Sequence, residues 1–172
     1  MLFGYFVLAV LPMTAVLLNN RLSLPIISHP FFDLFGFILL TAGMLLHLPS
    51  AHIFKVIGKG TPVPIEPPKK LVRVGLYKYS RNPMYLGIFL ILLGGFFIFG
   101  HFLLLIYALL FFLFFHFYII LVEEPKLKER FGQDYFDYLK TVPRWGLRIN
   151  IFKWLFWKIG EALSLISSLN KS

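Results

Sequence analysis

The sequence contains no cysteine, and only 15% of its 172 residues carry charge, whereas an average soluble domain has roughly 25%. Without cysteine, disulfides, thiolate metal sites and a cysteine nucleophile are all excluded. The shortage of charge accompanies 58% hydrophobic and 19% aromatic residues. Such a composition indicates that lipid covers much of the surface that a soluble protein would have to bury. The chain length favours a single small bundle.

Two further classes of ligand are disfavoured by where the polar residues lie. The net charge of +9 could suit a nucleic-acid-binding protein, but the basic residues lie between and after the apolar segments and not along one exposed helical stripe. His47 and His52 lie five residues apart, so they do not share a helix face and form no metal-binding pair. We therefore expect no nucleic-acid partner and no metal site.

Four apolar stretches predict an all-α membrane protein with about four transmembrane helices. They cover residues 2–18, 31–48, 84–99 and 102–122. Each approaches the roughly 17 to 25 residues that a spanning helix needs. The last two form an almost unbroken run that would be nearly twice as long as the bilayer is thick if it were one straight helix. We therefore predict a helical hairpin over residues 84–122 that turns at Gly100 and His101.

The basic residues predict the topology. Seven lie in the loop over residues 55–81, and eight more lie between Lys126 and Lys158. Because cytoplasmic loops are rich in lysine and arginine, we expect a multi-pass integral membrane protein with both termini and the active site on the cytoplasmic side. The first stretch has no basic residue before it and no small-residue cleavage site after it, so a retained helix is favoured over a signal peptide.

The chain divides into three regions. Residues 1–57 are expected to form an N-terminal pair of transmembrane helices, and residues 58–145 a loop, the hairpin and a helix that begins with two glutamates. Residues 146–172 read as an amphipathic helix lying in the headgroup layer, with a fifth spanning helix as the alternative. The segment 125–140 reads as a charged helix interrupted at Gly132, which is either a support beneath a ligand or an interfacial helix without ligand contact.

The start of the third helix carries a dense set of polar and aromatic residues. Asn82 before Pro83 fits a helix cap followed by a first-turn proline. A helix N-terminus offers unpaired N–H groups and a positive dipole end, which can hold the polar part of a ligand. The alternative is simply a well-capped helix.

Glu123 and Glu124 end the hairpin just before Pro125. Because the hairpin returns, we expect the two carboxylates to lie close to Asn82 and Tyr85. Juxtamembrane carboxylates are often only solvated. Opposite a capped, aromatic helix start, however, they predict a polar pocket whose charge could pair with an ammonium or sulfonium ligand.

These motifs resemble those of the isoprenylcysteine carboxyl methyltransferases and their relatives, which include phospholipid methyltransferases. The resemblance spans residues 61–144 and is carried by four motifs in order. They are Gly75-Leu76-Tyr77, Arg81-Asn82-Pro83-Met84-Tyr85-Leu86-Gly87, Glu123-Glu124, and Phe131-Gly132 followed by Tyr135, Tyr138 and Val142-Pro143. The resemblance implies a methyltransferase that uses S-adenosyl-L-methionine (SAM) and acts on a lipidic or membrane-dissolved acceptor.

The resemblance also implies which residues bind the cofactor. They are Lys70, Leu71, Val72, Tyr77, Asn82, Pro83, Met84, Tyr85 and Glu123. A carboxylate at Glu123 can pair with the methionine ammonium of SAM, and aromatic faces favour its sulfonium. Many members of the family have histidine where this chain has Asn82, and asparagine keeps the capacity to hydrogen-bond.

The catalytic candidates are His116, Glu124 and Arg81. His116 precedes Glu123 by seven residues, which on an α-helix places the two on one face. His116 could act as a base or contact the substrate. The alternative is a histidine that is hydrogen-bonded to a neighbouring helix. The isoprenylcysteine enzymes carry a substrate-contacting arginine where this chain has Ile119, so a carboxylate acceptor would lack that partner.

The acceptor therefore stays open among a prenylcysteine-like carboxylate, a phospholipid amine and a thiol. The rival function is a non-catalytic assembly or ligand-binding subunit on the same scaffold. The sequence leaves the oligomeric state open.

Overall fold

The computed structural model describes residues 6–60 and 68–146. The predicted amphipathic helix after residue 146 lies outside the described residues. Within the described ranges the regular structure is helical, apart from an isolated antiparallel bridge between Ile26 and His101. This agrees with the predicted all-α class.

Six α-helices follow one another in residues 6–60 and 68–146, and three of them are extended by a π turn. We label them α1 (Leu11–Arg21, preceded by the π turn Phe6–Val10), α2 (Pro30–Ile53, followed by the π turn Phe54–Gly58), α3 (Pro83–Phe99), α4 (Phe102–Tyr118, followed by the π turn Ile119–Glu123), α5 (Glu124–Phe131) and α6 (Gln133–Thr141). Before α3 lies a 3₁₀ turn, Gly75–Lys78.

Among the described residues, two continuous helical segments are long and apolar enough to span a membrane. They are Pro30–Gly58, with 29 residues, and Phe102–Phe131, with 30 residues; the mean hydropathy of the most apolar stretch of 18 residues is 1.9 in the first and 2.6 in the second. The apolar helices Phe6–Arg21 and Pro83–Phe99 are shorter. Large apolar side chains on the long segments, among them Phe31, Leu45 and Leu121, are exposed, as lipid-facing residues are. A count of four crossings stays a prediction.

The predicted hairpin turn at Gly100 and His101 is confirmed. Gly100 ends α3 in the left-handed region with φ of 67°, where glycine is favoured because it lacks a Cβ. A Cβ at this position would also overlap the carbonyl group of Ile27. The chain must therefore reverse here, and α4 begins at Phe102.

The first helix extends past its predicted end because Asn19 has partners inside the bundle. Asn19 is fully buried, and its Oδ1 accepts a hydrogen bond of 3.1 Å from the backbone N–H of Leu103. Its Nδ2 donates to the carbonyl of Leu24 at 3.2 Å. The side chain thus satisfies a free N–H at the start of α4.

The two helices α2 and α3 pack antiparallel through glycine pairs. A Cβ on Gly43 would lie 2.6 Å from the carbonyl oxygen of Gly87, and a Cβ on Gly94 would lie 2.7 Å from that of Gly36. Small residues let helix backbones approach closely, which is how helices associate in lipid. The contact fixes the start of α3 against α2, where His47 Nδ1 lies 3.2 Å from the carbonyl oxygen of Met84.

Two apolar clusters hold the remaining elements. The first joins α3 and α4 through Tyr85, Leu92, Phe111, Phe115 and Ile119, and Ile119 is only 1% exposed. The second consists of Tyr135, Tyr138 and Val142, with Leu71 packed against it. The predicted interruption at Gly132 is confirmed: this residue has φ of 51° and separates α5 from α6.

Candidate functional site

The first turn of α3 and the last turns of α4 lie side by side at what we call the open end of the hairpin, residues 80–85 and 119–124. Pro83 begins α3, where its missing N–H breaks no helical bond. Asn82 occupies the capping position, but its predicted side-chain cap is wrong. Its Nδ2 donates instead to the carbonyl of Arg144 at 3.2 Å, because residues 143 and 144 pack directly over it.

Glu123 lies beside Tyr85, as the returning hairpin predicted. The Tyr85 hydroxyl donates to Glu123 Oε2 at 3.3 Å. The Tyr85 ring is buried and stacks on Phe115 with 4.7 Å between centroids. The tyrosine is therefore held by packing, and its hydroxyl orients the carboxylate.

Tyr77 forms a second aromatic wall near the same carboxylate. The ring is buried, and its backbone carbonyl accepts a 2.6 Å hydrogen bond from the Tyr138 hydroxyl. Burial, and after it the charge of Glu123, raises the pKa of Tyr77 well above its usual value. Tyr77 therefore stays neutral at physiological pH and presents an uncharged aromatic surface.

Within the described part of the chain, Glu123 has no ion-pair partner. The residue is half-buried. A carboxylate removed from water is unfavourable without a compensating cation. Its surroundings are aromatic, so the arrangement suits an organic cation.

Glu124, the next residue, has the opposite surroundings. It is 5% exposed, and Arg81 Nη1 and Arg144 Nε lie 2.8 and 2.7 Å from its Oε1. Arg144 Nη2 also donates to Oε2 at 3.0 Å, so Arg144 binds the carboxylate with two nitrogens. This hydrogen bonding raises the pKa of Arg144. The charge of Glu124 is already neutralised by the protein.

Residues 142–145, which we call the strap, cross the open end and are tied down along their length. The backbone N–H of Arg81 donates to the carbonyl of Pro143 at 2.9 Å. Trp145 Nε1 donates to His116 Nδ1 at 2.8 Å. Sequence reasoning missed the role of Arg144, although a basic residue directly after the Val142-Pro143 motif was a signal that could have indicated it.

His116 does not share a face with Glu123, and this expectation was wrong. The π turn Ile119–Glu123 lies between the two residues and inserts an extra residue into the helical repeat. His116 contacts Trp145, whereas Glu123 contacts Tyr85. The adjacent strap residues Arg144 and Trp145 bind Glu124 and His116, respectively.

The loop residues predicted to bind cofactor lie beside the end of α2. Val72 is buried against Gly58, and the backbone N–H of Lys70 donates to the Gly58 carbonyl at 3.3 Å. Leu71 packs on the Tyr135–Tyr138–Val142 cluster. The Lys70 side chain is exposed. Tyr77 follows this loop in the sequence and is close enough to Glu123 for the charge of Glu123 to raise the pKa of Tyr77.

The residues at the open end fit a cationic cofactor of the SAM type. The side around Glu123 offers one carboxylate that pairs with no cation in the described part of the chain, together with the aromatic side chains of Tyr77 and Tyr85. Among the described residues no cluster of histidine, aspartate or glutamate could hold a metal ion.

The chain matches a protein-family model. The model described as phospholipid methyltransferase matches residues 32–134, which is more than half of the chain and includes both glutamates and the start of α3. Searches of curated proteins and of solved structures found no match.

Proposed function

Since this chain belongs to the phospholipid methyltransferase family and is thereby a membrane methyltransferase, we propose that SAM donates the methyl group and that a lipid in the same membrane accepts it. The observation that carries the proposal is Glu123, a half-buried carboxylate without an ion-pair partner in the described chain that faces Tyr85.

SAM, when bound, supplies an electrophilic methyl group on a sulfonium. Glu123 binds the ammonium of its methionine part by a charge-assisted hydrogen bond. Tyr77 and Tyr85 present aromatic faces to the positive sulfonium. The other cofactor-binding residues are those at the start of α3 and in the preceding loop: Lys70, Leu71, Val72, Asn82, Pro83 and Met84.

The protein acts mainly by positioning, because methyl transfer is a direct displacement at carbon. The nucleophile, the methyl carbon and the sulfur must be held in line, with the reacting atoms about 3 to 3.5 Å apart. No residue has to form a covalent bond with the methyl group. Cofactor enters from the cytoplasmic side, and the acceptor enters laterally between helices.

We propose an amine-bearing phospholipid as the acceptor. The position that holds an arginine in the isoprenylcysteine enzymes is here Ile119, which is buried in the apolar cluster between α3 and α4. A carboxylate acceptor would have no cation at that position. A neutral amine needs none, because its nitrogen lone pair attacks the methyl carbon directly.

An amine acceptor releases one proton after the methyl group is attached. Glu124 is bound by two arginines, and His116 Nδ1 accepts a hydrogen bond from Trp145. Because an indole N–H only donates, Nδ1 is the acceptor in this hydrogen bond and is already occupied. We therefore assign the proton to water, and assign Arg81, Glu124 and His116 to positioning the strap.

The decisive experiment supplies methyl-labelled SAM to the purified protein in nanodiscs that contain phosphatidylethanolamine. We expect label in the extracted lipid. The matched control contains phosphatidylcholine alone, whose nitrogen has no free lone pair and should stay unlabelled. A prenylcysteine is added in a third sample. Label in the prenylcysteine but not in the lipid would overturn the proposed acceptor, and label in neither would overturn the proposed reaction.

A further inference from the structure

Residues 68–77, which we call the loop segment, are held at both ends by α5 and α6. At the start of the segment, Arg130 Nη1 donates to the backbone carbonyl of Pro68 at 2.9 Å. At its end, the Tyr138 hydroxyl donates to the backbone carbonyl of Tyr77 at 2.6 Å. Arg130 lies in the last turn of α5, and Tyr138 lies in α6. Because both acceptors are main-chain oxygens, the two bonds fix the path of the backbone.

The middle of the loop segment contacts the same pair of helices. Arg73 Nη2 lies 3.4 Å from a carboxylate oxygen of Asp134 in α6. The Arg73 guanidinium also lies over the Tyr138 ring, 5.8 Å from its centroid. Leu71 packs against the buried cluster that contains Tyr138. Exposed ion pairs contribute little to stability, so the hydrogen bonds at the two ends carry most of the restraint.

The loop segment depends on such partners, because residues 68–74 belong to no helix or strand. Their backbone polar groups therefore have to be satisfied from outside the segment. On the side away from α5 and α6, the backbone N–H groups of Lys69 and Lys70 donate to the Gly58 carbonyl at the end of α2, at 2.7 and 3.3 Å. The segment thus lies between the end of α2 and the α5–α6 pair.

The position of the loop segment matters for the cofactor. Four of the residues proposed to bind SAM lie in it: Lys70, Leu71, Val72 and Tyr77. Tyr77 is also close enough to Glu123 to be affected by the charge of that carboxylate. A segment that is already restrained loses less conformational freedom when it binds a ligand, and this raises the affinity.

We propose that α5 and α6 preorganise the loop segment for SAM and that Arg130 and Tyr138 are the positioning residues. The proposal rests on the proposed function, because it takes the loop segment to bind the cofactor. Arg130 and Tyr138 each act through the backbone carbonyl that they bind, without contact to the reacting atoms. Their effect therefore falls on SAM binding and not on acceptor binding. Residues 125–140 are then a support beneath the ligand, one of the two interpretations that the sequence left open.

The test measures methyl transfer to phosphatidylethanolamine in nanodiscs while the concentrations of SAM and of lipid are varied separately. Arg130→Met removes the donor at one end of the loop segment, and Tyr138→Phe removes only the hydroxyl at the other. Each variant should raise KM for SAM about fivefold, the factor that corresponds to the net contribution of one hydrogen bond. KM for the lipid and kcat should stay close to the wild-type values. Arg130→Lys keeps a charged donor and should recover part of the lost affinity.

The matched controls remove the same chemical groups from exposed positions. They are Lys126→Met on α5 and Tyr79→Phe just after the loop segment, and both should keep the wild-type KM for SAM. Because Arg130 is itself exposed, Arg130→Met should fold like the wild type. This variant decides the test if Tyr138→Phe loses its near-ultraviolet circular dichroism spectrum.

A wild-type KM for SAM in folded Arg130→Met would overturn the inference and leave the proposed function intact. A parallel change of kcat and of both KM values in that variant would overturn it as well, because such a change indicates a general loss of structure. Absence of methyl transfer by the wild type would overturn both the inference and the proposed function.

Discussion

The two sides of the open end surround adjacent carboxylates in opposite ways. On one side, Glu123 faces a buried tyrosine hydroxyl and aromatic rings, and no cation in the described chain pairs with it. On the other side, Glu124 is held by Arg81 and Arg144, and the strap covers it. Among the described residues, Glu124 is thus held by two arginines, whereas Glu123 is held by a tyrosine hydroxyl.

The difference teaches that neighbouring charges in one motif can have separate tasks. Glu124 ties the strap to the hairpin, and this tie holds the start of α3 where Tyr85 can reach Glu123. Adjacent residues on a helix point about 100° apart, so the two side chains have different partners at the open end.

The largest expected effect is on stability and comes from the Glu124 side. Glu124→Ala leaves two arginines without their partner, and breaking a buried ion pair typically lowers the free energy of unfolding by about 3 to 5 kcal/mol. Glu123→Ala removes one hydrogen bond to a charged group, worth about 1.5 to 3 kcal/mol. Denaturant unfolding of both variants in the same detergent measures the difference. Equal destabilisation by the two variants would contradict the claim that Glu124 contributes more to stability than Glu123.

A smaller effect is expected on the Glu123 side when only the orienting hydroxyl is removed. Tyr85→Phe keeps the ring stacked on Phe115 and deletes the bond to Glu123. The deleted hydrogen bond, which is to a charged group, contributes about 1.5 to 3 kcal/mol. If it orients Glu123 for the cofactor, SAM affinity should fall by about tenfold, and the free energy of unfolding should fall by less than in Glu124→Ala. Binding of labelled SAM by equilibrium dialysis provides the measurement. Wild-type affinity in this variant would show that the carboxylate needs no orienting partner.

The smallest effect appears only at alkaline pH and concerns the Glu124 side. Burial, followed by the charge of Glu124, raises the pKa of Tyr135 from 10.0 to about 12. The folded state therefore holds this proton more tightly than the unfolded state. Its contribution to stability is complete below pH 10 and is lost as pH rises towards 12.

The free energy of unfolding of the wild type should accordingly fall between these pH values more steeply than that of Tyr135→Phe. Parallel pH profiles for the two proteins would contradict the raised pKa. At neutral pH the hydroxyl of Tyr135 is protonated in both the folded and the unfolded state, so its ionisation causes no difference in stability between the two proteins.

The sequence was sufficient to predict those parts of the site that depend on the reversal of the chain at Gly100. The apolar run over residues 84–122 was too long for one helix, which placed the turn at Gly100. Once the hairpin closes, Glu123 has to return near Tyr85, and the hydrogen bond between them follows from that closure. The interruption at Gly132 was also predictable from the sequence, because glycine readily adopts the positive φ that separates the two helices.

The rest depended on contacts that no local pattern reports. A π turn has no distinctive composition, so a regular helical repeat placed His116 on the same face as Glu123. Arg144 pairs with a glutamate 20 residues earlier, across two short helices. The equal spacing of Gly36 and Gly43 and of Gly87 and Gly94 was a readable signal for helix packing, and sequence reasoning did not use it.

The most direct test of the central claim is the binding of labelled SAM to wild type and Glu123→Ala in nanodiscs, with Glu123→Gln as the variant that keeps the shape and removes the charge. If Glu123 binds the cofactor's ammonium, both variants should bind SAM about 30-fold or more weakly. Both should keep the wild-type near-ultraviolet circular dichroism spectrum. Unchanged SAM affinity in folded Glu123→Ala would contradict the account.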